Sequence, residues 1–286
     1  MKLKEVLDRT VQFFKDKNIE TPRLDTEILL TEALGFKNRV DLYLKFDQPL
    51  KDEELNRSRD FVRRRAQGEP VAYIIGKKDF YGFTFQVNEN VLIPRPETEL
   101  LVEEAIKWIQ AHNIQKPQIL DIGCGSGCIG LSILKKISDA ELIAVDKSKE
   151  ALRVAQTNSE LLEVSQRVQF IEKAILDLDF EKEKFDLILA NPPYIAENDP
   201  NIQVEVKVYE PAMALFSDDN GLHDLTKWSS HAAAWLKTES WMGFEMGATQ
   251  GKAMLEHFKS FRTFNNVKII KDLAELDRHI IGEKNG

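Results

Sequence analysis

The residues with the most specific chemical meaning are four in a row, Asn191-Pro192-Pro193-Tyr194. They follow the apolar run Phe185-Asp186-Leu187-Ile188-Leu189-Ala190, which reads as a buried strand, so they stand where a strand opens onto a crevice at its carboxyl end. Two successive prolines hold φ at about −65° and remove two N–H donors, leaving a stiff backbone that exposes its carbonyls. The side-chain carbonyl of Asn191 and the backbone carbonyl of Pro192 can accept hydrogen bonds from the two N–H groups of an amide or aromatic amine. Such a nitrogen is a poor nucleophile because its lone pair is delocalised. Holding both hydrogens aims that lone pair at an electrophile, while Tyr194 offers a ring to stack on the planar group. No base is needed before attack, since the product sheds its proton readily; positioning and charge neutralisation carry the catalysis. Asn191, Pro192 and Tyr194 are therefore the candidate catalytic residues, with Pro193 beside them in substrate binding.

A second constellation is the loop Gly123-Cys124-Gly125-Ser126-Gly127-Cys128, which leaves the predicted strand Gln118-Ile119-Leu120-Asp121-Ile122 and opens a helix. Glycines suit the sharp strand-to-helix turn and let a ligand lie against bare backbone. Asp146 ends the next predicted strand and faces the same crevice, where a carboxylate can accept both ribose hydroxyls of an adenosine. A nucleoside-containing cofactor fits this spacing. The dinucleotide fingerprint would need glycine where Cys128 stands, so that match is incomplete, and a dinucleotide remains the alternative. Asp121 followed by G-x-G-x-G resembles motif I of class I methyltransferases. That resemblance implies S-adenosyl-L-methionine, with S-adenosyl-L-homocysteine as product, held by Asp121, Gly123, Cys124, Gly125, Ser126, Gly127, Asp146 and Asn191.

These residues need a scaffold, and the chain alternates between two patterns. Residues 1–70 are helix-periodic: Leu3, Val6, Leu7, Val11 and Phe14 make one stripe, and Thr21, Pro22 and Gly35 bracket a second helix. Residues 52–67 make another, with a basic run of Arg57, Arg59, Arg63, Arg64 and Arg65 expected on a solvated face. Residues 71–95 read as a hairpin linker, with strands around Phe80–Val87 and Val91–Ile93 and a turn at Asn88-Glu89-Asn90. From residue 96 to 286, strands apolar on both faces alternate with helices, which predicts a Rossmann-like, mainly parallel seven-stranded sheet covered on both sides, an α/β domain behind a small all-helical one. Glu245 is expected at a strand end on the crevice floor.

Composition narrows the class. The 286 residues are 43% hydrophobic, enough for a sizeable core without disulfides. Lysine and arginine number 39 against 47 aspartate and glutamate, a net charge of −8 that disfavours binding governed by polyphosphate. The two cysteines, Cys124 and Cys128, lack histidines at metal-ligand spacing, so no metal site is expected. With no apolar leader at Met1 and no membrane-spanning run, a reducing cytoplasm is the expected setting.

The two motifs, together with Ile93-Pro94-Arg95-Pro96-Glu97-Thr98-Glu99 and Tyr209-Glu210-Pro211-Ala212-Met213-Ala214-Leu215-Phe216, resemble the PrmC/HemK family of peptide chain release factor glutamine methyltransferases over nearly the whole chain. The resemblance implies methyl transfer from S-adenosyl-L-methionine to the side-chain amide nitrogen (N5) of the glutamine in the Gly-Gly-Gln motif of class I release factors. It implies that the helical domain helps to grip the release factor, that Asn191 to Tyr194 receive the glutamine, and that Arg95 and Glu97 wall the crevice. Relatives often carry an acid before the adenine-covering residue; here Ala174 stands there, leaving Ile175 to cover the adenine through apolar contact alone. A nucleic-acid adenine N6-methyltransferase is the alternative, because an exocyclic amine poses the same problem as an amide. The expected partner is the release factor, with no membrane, no direct nucleic-acid contact and a monomeric chain.

Overall fold

The computed structural model describes residues 1–284, which group into two compact units: residues 1–77 with 204–209, and residues 78–203 with 210–286 as far as described. The first unit is helical. Leu3, Leu7, Thr10 and Phe14 bury one face of the helix Leu3–Asp16, as their spacing of three and four residues requires. Against it lies the helix Pro22–Ala33, on which Asp52–Ala66 and the short helix Val71–Ile75 pack in turn, placing Ile74 with Phe14 and Leu29 in one core cluster. Thr21 occupies the N-cap position of the second helix without capping it; its hydroxyl donates to Asp25 Oδ1 at 2.7 Å instead.

The basic run does not lie wholly in solvent. Arg65 is buried, with Nε 2.7 Å from Asp25 Oδ2 and Nη1 2.9 Å from Glu205 Oε1. Glu205 belongs to the helix Val204–Tyr209, and Tyr209 adds a bond from its hydroxyl to the Gln67 carbonyl at 2.9 Å. These bonds explain why a short helix from far along the chain belongs to the first unit.

The second unit begins at Lys78, within strand β1 (Lys77–Phe80), and continues with β2 (Phe83–Gln86), so the hairpin turn is at Tyr81-Gly82, not at Asn88-Glu89-Asn90, and Val91–Ile93 is not a strand. Both turn residues have positive φ, +51° and +79°, the requirement of the tight hairpin turn that matches strand twist. Thus the expected linker divides: residues up to Lys77 group with the helices and the chain from Lys78 with the sheet.

Beyond the hairpin come β3 (Gln118–Ile122), β4 (Glu141–Asp146), β5 (Val168–Glu172), β6 (Phe185–Ala190), β7 (Leu236–Glu245), β8 (Phe264–Lys271) and β9 (Asp277–Lys284). They form one sheet in the order β5-β4-β3-β6-β7-β9-β8, parallel from β5 to β7 and antiparallel at β9 and β8. All of β6 is buried: Leu187 and Leu189 enter the core on one face, Phe185, Ile188 and Ala190 the core on the other. Each such side chain contributes about 1.5–3 kcal/mol through burial, which is why a central strand reads as a continuous apolar run. The chain steps outward from β3 through β4 to β5, then crosses back to place β6 on the other side of β3, pairing Ile122 with Ala190. That reversal opens a crevice at the carboxyl ends of β3 and β6, where the glycine loop and Asn191 begin. Among the described residues, no helix is long and apolar enough to cross a membrane.

Candidate active site

A cavity of about 390 Å³ opens at this switch point, within the range of small-molecule sites. The glycine loop forms one wall. Asp146, at the end of β4, accepts the Gly125 N–H through Oδ2 at 2.9 Å and the Ser148 N–H through Oδ1 at 2.9 Å. Each oxygen keeps a lone pair for a further donor. Burial raises the Asp146 carboxyl above its ordinary range, with the Ser148 and Gly125 N–H groups opposing the shift. Gly125 has nothing within 4 Å of where a Cβ would stand, so bare backbone lines the cavity there.

Asp121 sits underneath rather than in the wall. It is 1% exposed and accepts the Gly130 N–H at 3.0 Å, tying the strand to the helix Cys128–Lys136. Burial, reinforced by Asp146, pushes its carboxyl up to about 7 against the lowering effect of the Gly130 N–H. Cys124 and Cys128 are free and buried, and burial pushes the Cys128 thiol up to about 12 and the Cys124 thiol well above its usual value. Both pack around the loop as unreactive thiols.

The other wall comes from β6 and the segments flanking it. Of the residues singled out from sequence, Arg95, Gly123, Cys124, Gly125, Ser126, Asp146, Ile175, Asn191 and Pro193 line the cavity; Glu97, Asp121, Gly127, Pro192 and Tyr194 do not. Ile175 lies on a short helical turn beside Ala174, which also lines the wall. Arg95 spends its charge on Glu210: the guanidinium bonds Oε1 while Oε2 accepts the Ile93 N–H at 3.1 Å. The Pro-Arg-Pro-Glu-Thr-Glu segment and the Tyr-Glu-Pro segment are thereby one structure. Tyr194 is held at both ends, its hydroxyl donating to Glu245 Oε1 at 3.0 Å and its carbonyl accepting from Gln250 Nε2 at 3.0 Å.

Several participants were not singled out from sequence, Thr98 among them although it lies inside a quoted motif. Thr98 lines the cavity and bonds Glu245 Oε2 at 2.6 Å; Trp228 lines it with its ring against Gly123; Gln250 pins Tyr194. Glu245, expected on the crevice floor, is 1% exposed and lies behind the wall. Burial disfavours its charge, but the nearby His279 imidazole and the hydroxyls of Thr98 and Tyr194 favour it more, holding the carboxyl below its ordinary range. Among the described residues, no cluster of metal-ligating side chains forms.

Comparison with known proteins follows this geometry. Residues 5–76 match the model of the PrmC N-terminal domain, and residues 97–222 that of the methyltransferase small domain. The release factor glutamine methyltransferase of Chlorobaculum tepidum is 39% identical over 281 residues, covering 96% of this chain and 94% of that one. The enzyme of the same name from Clostridium acetobutylicum is 33% identical over 288 residues, covering all of both chains. Among solved structures, the hMettl16 catalytic domain in complex with MAT2A 3'UTR hairpin 6 superposes with a TM-score of 0.54 at 13% identity, over 82% of each chain. That last likeness is one of fold, the fold of class I methyltransferases.

Proposed function

Because the chain belongs to the family of release factor glutamine methyltransferases, we propose that it transfers the methyl group of S-adenosyl-L-methionine to N5 of the glutamine in the Gly-Gly-Gln motif of class I peptide chain release factors. The observation that carries this reading is one shared cavity, with Asp146 and the bare backbone of Gly125 on one wall and Asn191 on the other. The cavity's size, the open face of Gly125 and the lone pairs left on Asp146 fit an adenosine ribose and a methionine moiety. Ile175, on the cavity wall, would cover the adenine by apolar contact, and Asp121 keeps the loop in shape from below.

Bound S-adenosyl-L-methionine supplies an electrophilic sulfonium methyl. Asn191, through its side-chain oxygen, and Pro192, through its backbone carbonyl, accept the two amide N–H bonds of the glutamine and direct the nitrogen lone pair at that methyl carbon. With that group bound, the methyl would pass to nitrogen as its bond to sulfur broke, leaving S-adenosyl-L-homocysteine, and the extra proton on nitrogen would pass to water. Holding the nucleophile at attack distance supplies most of the acceleration, since such orientation is worth roughly 7–11 kcal/mol in well-aligned intramolecular reactions. The nucleic-acid reading is weaker, since the curated relatives carry the release factor name and the chain is acidic overall. The free thiols suit the reducing cytoplasm, where one chain acts on one release factor.

The test is incubation with labelled S-adenosyl-L-methionine and purified release factor, followed by mass spectrometry of the Gly-Gly-Gln peptide. One added methyl group on the glutamine is expected, and Asn191→Ala should abolish it. A release factor that stays unmodified would sink the assignment.

A further inference from the structure

An asparagine side chain has an accepting end and a donating end of almost equal shape, and only the accepting end can hold an amide N–H. Something must therefore choose which end of Asn191 meets the cavity. Its Nδ2 lies 3.4 Å from Thr98 Oγ1, a long hydrogen bond. Thr98 has a single hydroxyl proton, and its oxygen stands 2.6 Å from Glu245 Oε2. An ionised carboxylate accepts only, so the Thr98 proton must point to Glu245, and Thr98 can then only accept from Asn191. The polarity runs one way from Glu245 outward.

We propose that Glu245 and Thr98 are positioning residues that set the Asn191 amide with nitrogen inward and oxygen toward the substrate, while Glu245 also holds Tyr194 through its hydroxyl. This rests on the amide-methylating reading above and adds the residues that decide its geometry. Both are almost wholly buried, at 2% for Thr98 and 1% for Glu245, so water does not compete for the bond between them. They come from opposite ends of the domain: Thr98 ends the short helical turn Pro96–Thr98, and Glu245 ends β7 opposite His279 on β9. His279 is fully buried, with neither ring nitrogen hydrogen-bonded, and its Nε2 lies 3.6 Å from Glu245 Oε2. It stands beside the same carboxylate oxygen that accepts from Thr98.

Two substitutions separate orientation from bulk. Glu245→Gln keeps the shape but leaves one acceptor where Thr98 and Tyr194 both donate, so the two compete for it and the fixed direction of the Thr98 proton is lost. Thr98→Val keeps the volume and removes the acceptor. Each should lower kcat by about 100-fold, the scale expected for a misplaced positioning group, with the KM for S-adenosyl-L-methionine within about twofold of wild type. Thr98→Ser, which restores the hydroxyl, should recover most of that loss. The orientation is also read without turnover, from the exchange of the Asn191 side-chain amide protons with water in 15N spectra of the full chain. They should be protected in wild type and in Thr98→Ser, and exposed in Thr98→Val. Protection lost in Thr98→Val while wild type fails to methylate release factor would uphold the positioning and reject the substrate. Wild-type kcat and wild-type exchange in Thr98→Val would overturn the proposal.

Discussion

Asp146 Oδ2 accepts the Gly125 N–H at 2.9 Å, so the acid ending β4 and the glycine loop after β3 form a single receptor wall. A charged acceptor holding a loop amide is worth about 1.5–3 kcal/mol, and the same carboxylate is the proposed ribose ligand. Asp146→Ala should therefore weaken S-adenosyl-L-methionine binding by roughly 10- to 100-fold while the chain still folds. Titration calorimetry on the full chain checks this; an unchanged dissociation constant would remove Asp146 from the site.

Glu210 is the acceptor for both Arg95 and the Ile93 N–H. Replacing it with alanine strands a buried backbone donor and a half-buried guanidinium, at a cost of about 1–3 kcal/mol. Glu210→Ala should lower the denaturant midpoint accordingly, with Glu210→Gln, which can still accept the N–H, losing less. Equal midpoints for all three proteins would contradict the clasp.

Asp121 makes stability depend on pH. Its carboxyl is raised to about 7 in the folded chain, chiefly by burial, from an ordinary value of 3.8. Between those values the folded state holds a proton that the unfolded state has lost, so stability is fully present below about pH 4 and declines as pH rises toward 7. The slope approaches about 1.4 kcal/mol per pH unit for this one group. Subtracting the pH profile of Asp121→Asn from that of wild type should isolate it, and a flat difference would show that the group is ionised throughout.

Gly221 has φ of +82°, and a Cβ there would stand 2.0 Å from the Tyr194 carbonyl oxygen and 2.6 Å from Gln250 Nε2. Gly221→Ala combines left-handed strain with displacement of the clamp on Tyr194, so it should destabilise the chain by more than about 1 kcal/mol and slow methyl transfer. Thermal unfolding and turnover measured together test it; a fully active, equally stable variant would exclude the clamp.

Arg65 is buried between Asp25 and Glu205. Removing one partner of a buried pair leaves an uncompensated charge and typically costs about 3–5 kcal/mol, so Arg65→Ala should strongly destabilise the helical unit. Arg57→Ala, from the exposed part of the same helix, should stay within about 0.5 kcal/mol of wild type. Chemical denaturation of the two variants makes the comparison.

What the sequence alone determined was local. Phe185–Ala190 reads as a buried strand because every position is apolar or becomes paired, and the strand is found over those residues. Leu3, Leu7 and Phe14 read as one helical stripe because their spacing follows the helical turn, and all three are buried on the helix Leu3–Asp16. Asn191 and the loop Gly123–Gly127 are recognisable because proline pairs and glycine spacing restrict the backbone wherever they occur. Even local reading fails when a residue adopts a conformation foreign to its type: Tyr81, at φ +51°, hid the true hairpin turn, while Asn88-Glu89-Asn90 had the composition of one.

Only the tertiary structure decided which residues stand behind Asn191. Thr98 and Glu245 are 147 positions apart, and Arg95 and Glu210 are 115 apart. A hydrogen bond across such distances leaves no periodic trace, because each partner need only be a polar residue at an element's end, as scores of others are. The order β5-β4-β3-β6-β7 brings them together, by crossing the chain over so that the ends of β3, β6 and β7 are neighbours. Burial then does what proximity alone could not. It turns an ordinary threonine and glutamate into a dry, one-way hydrogen-bond chain, whose direction sets the asparagine that the sequence had already marked.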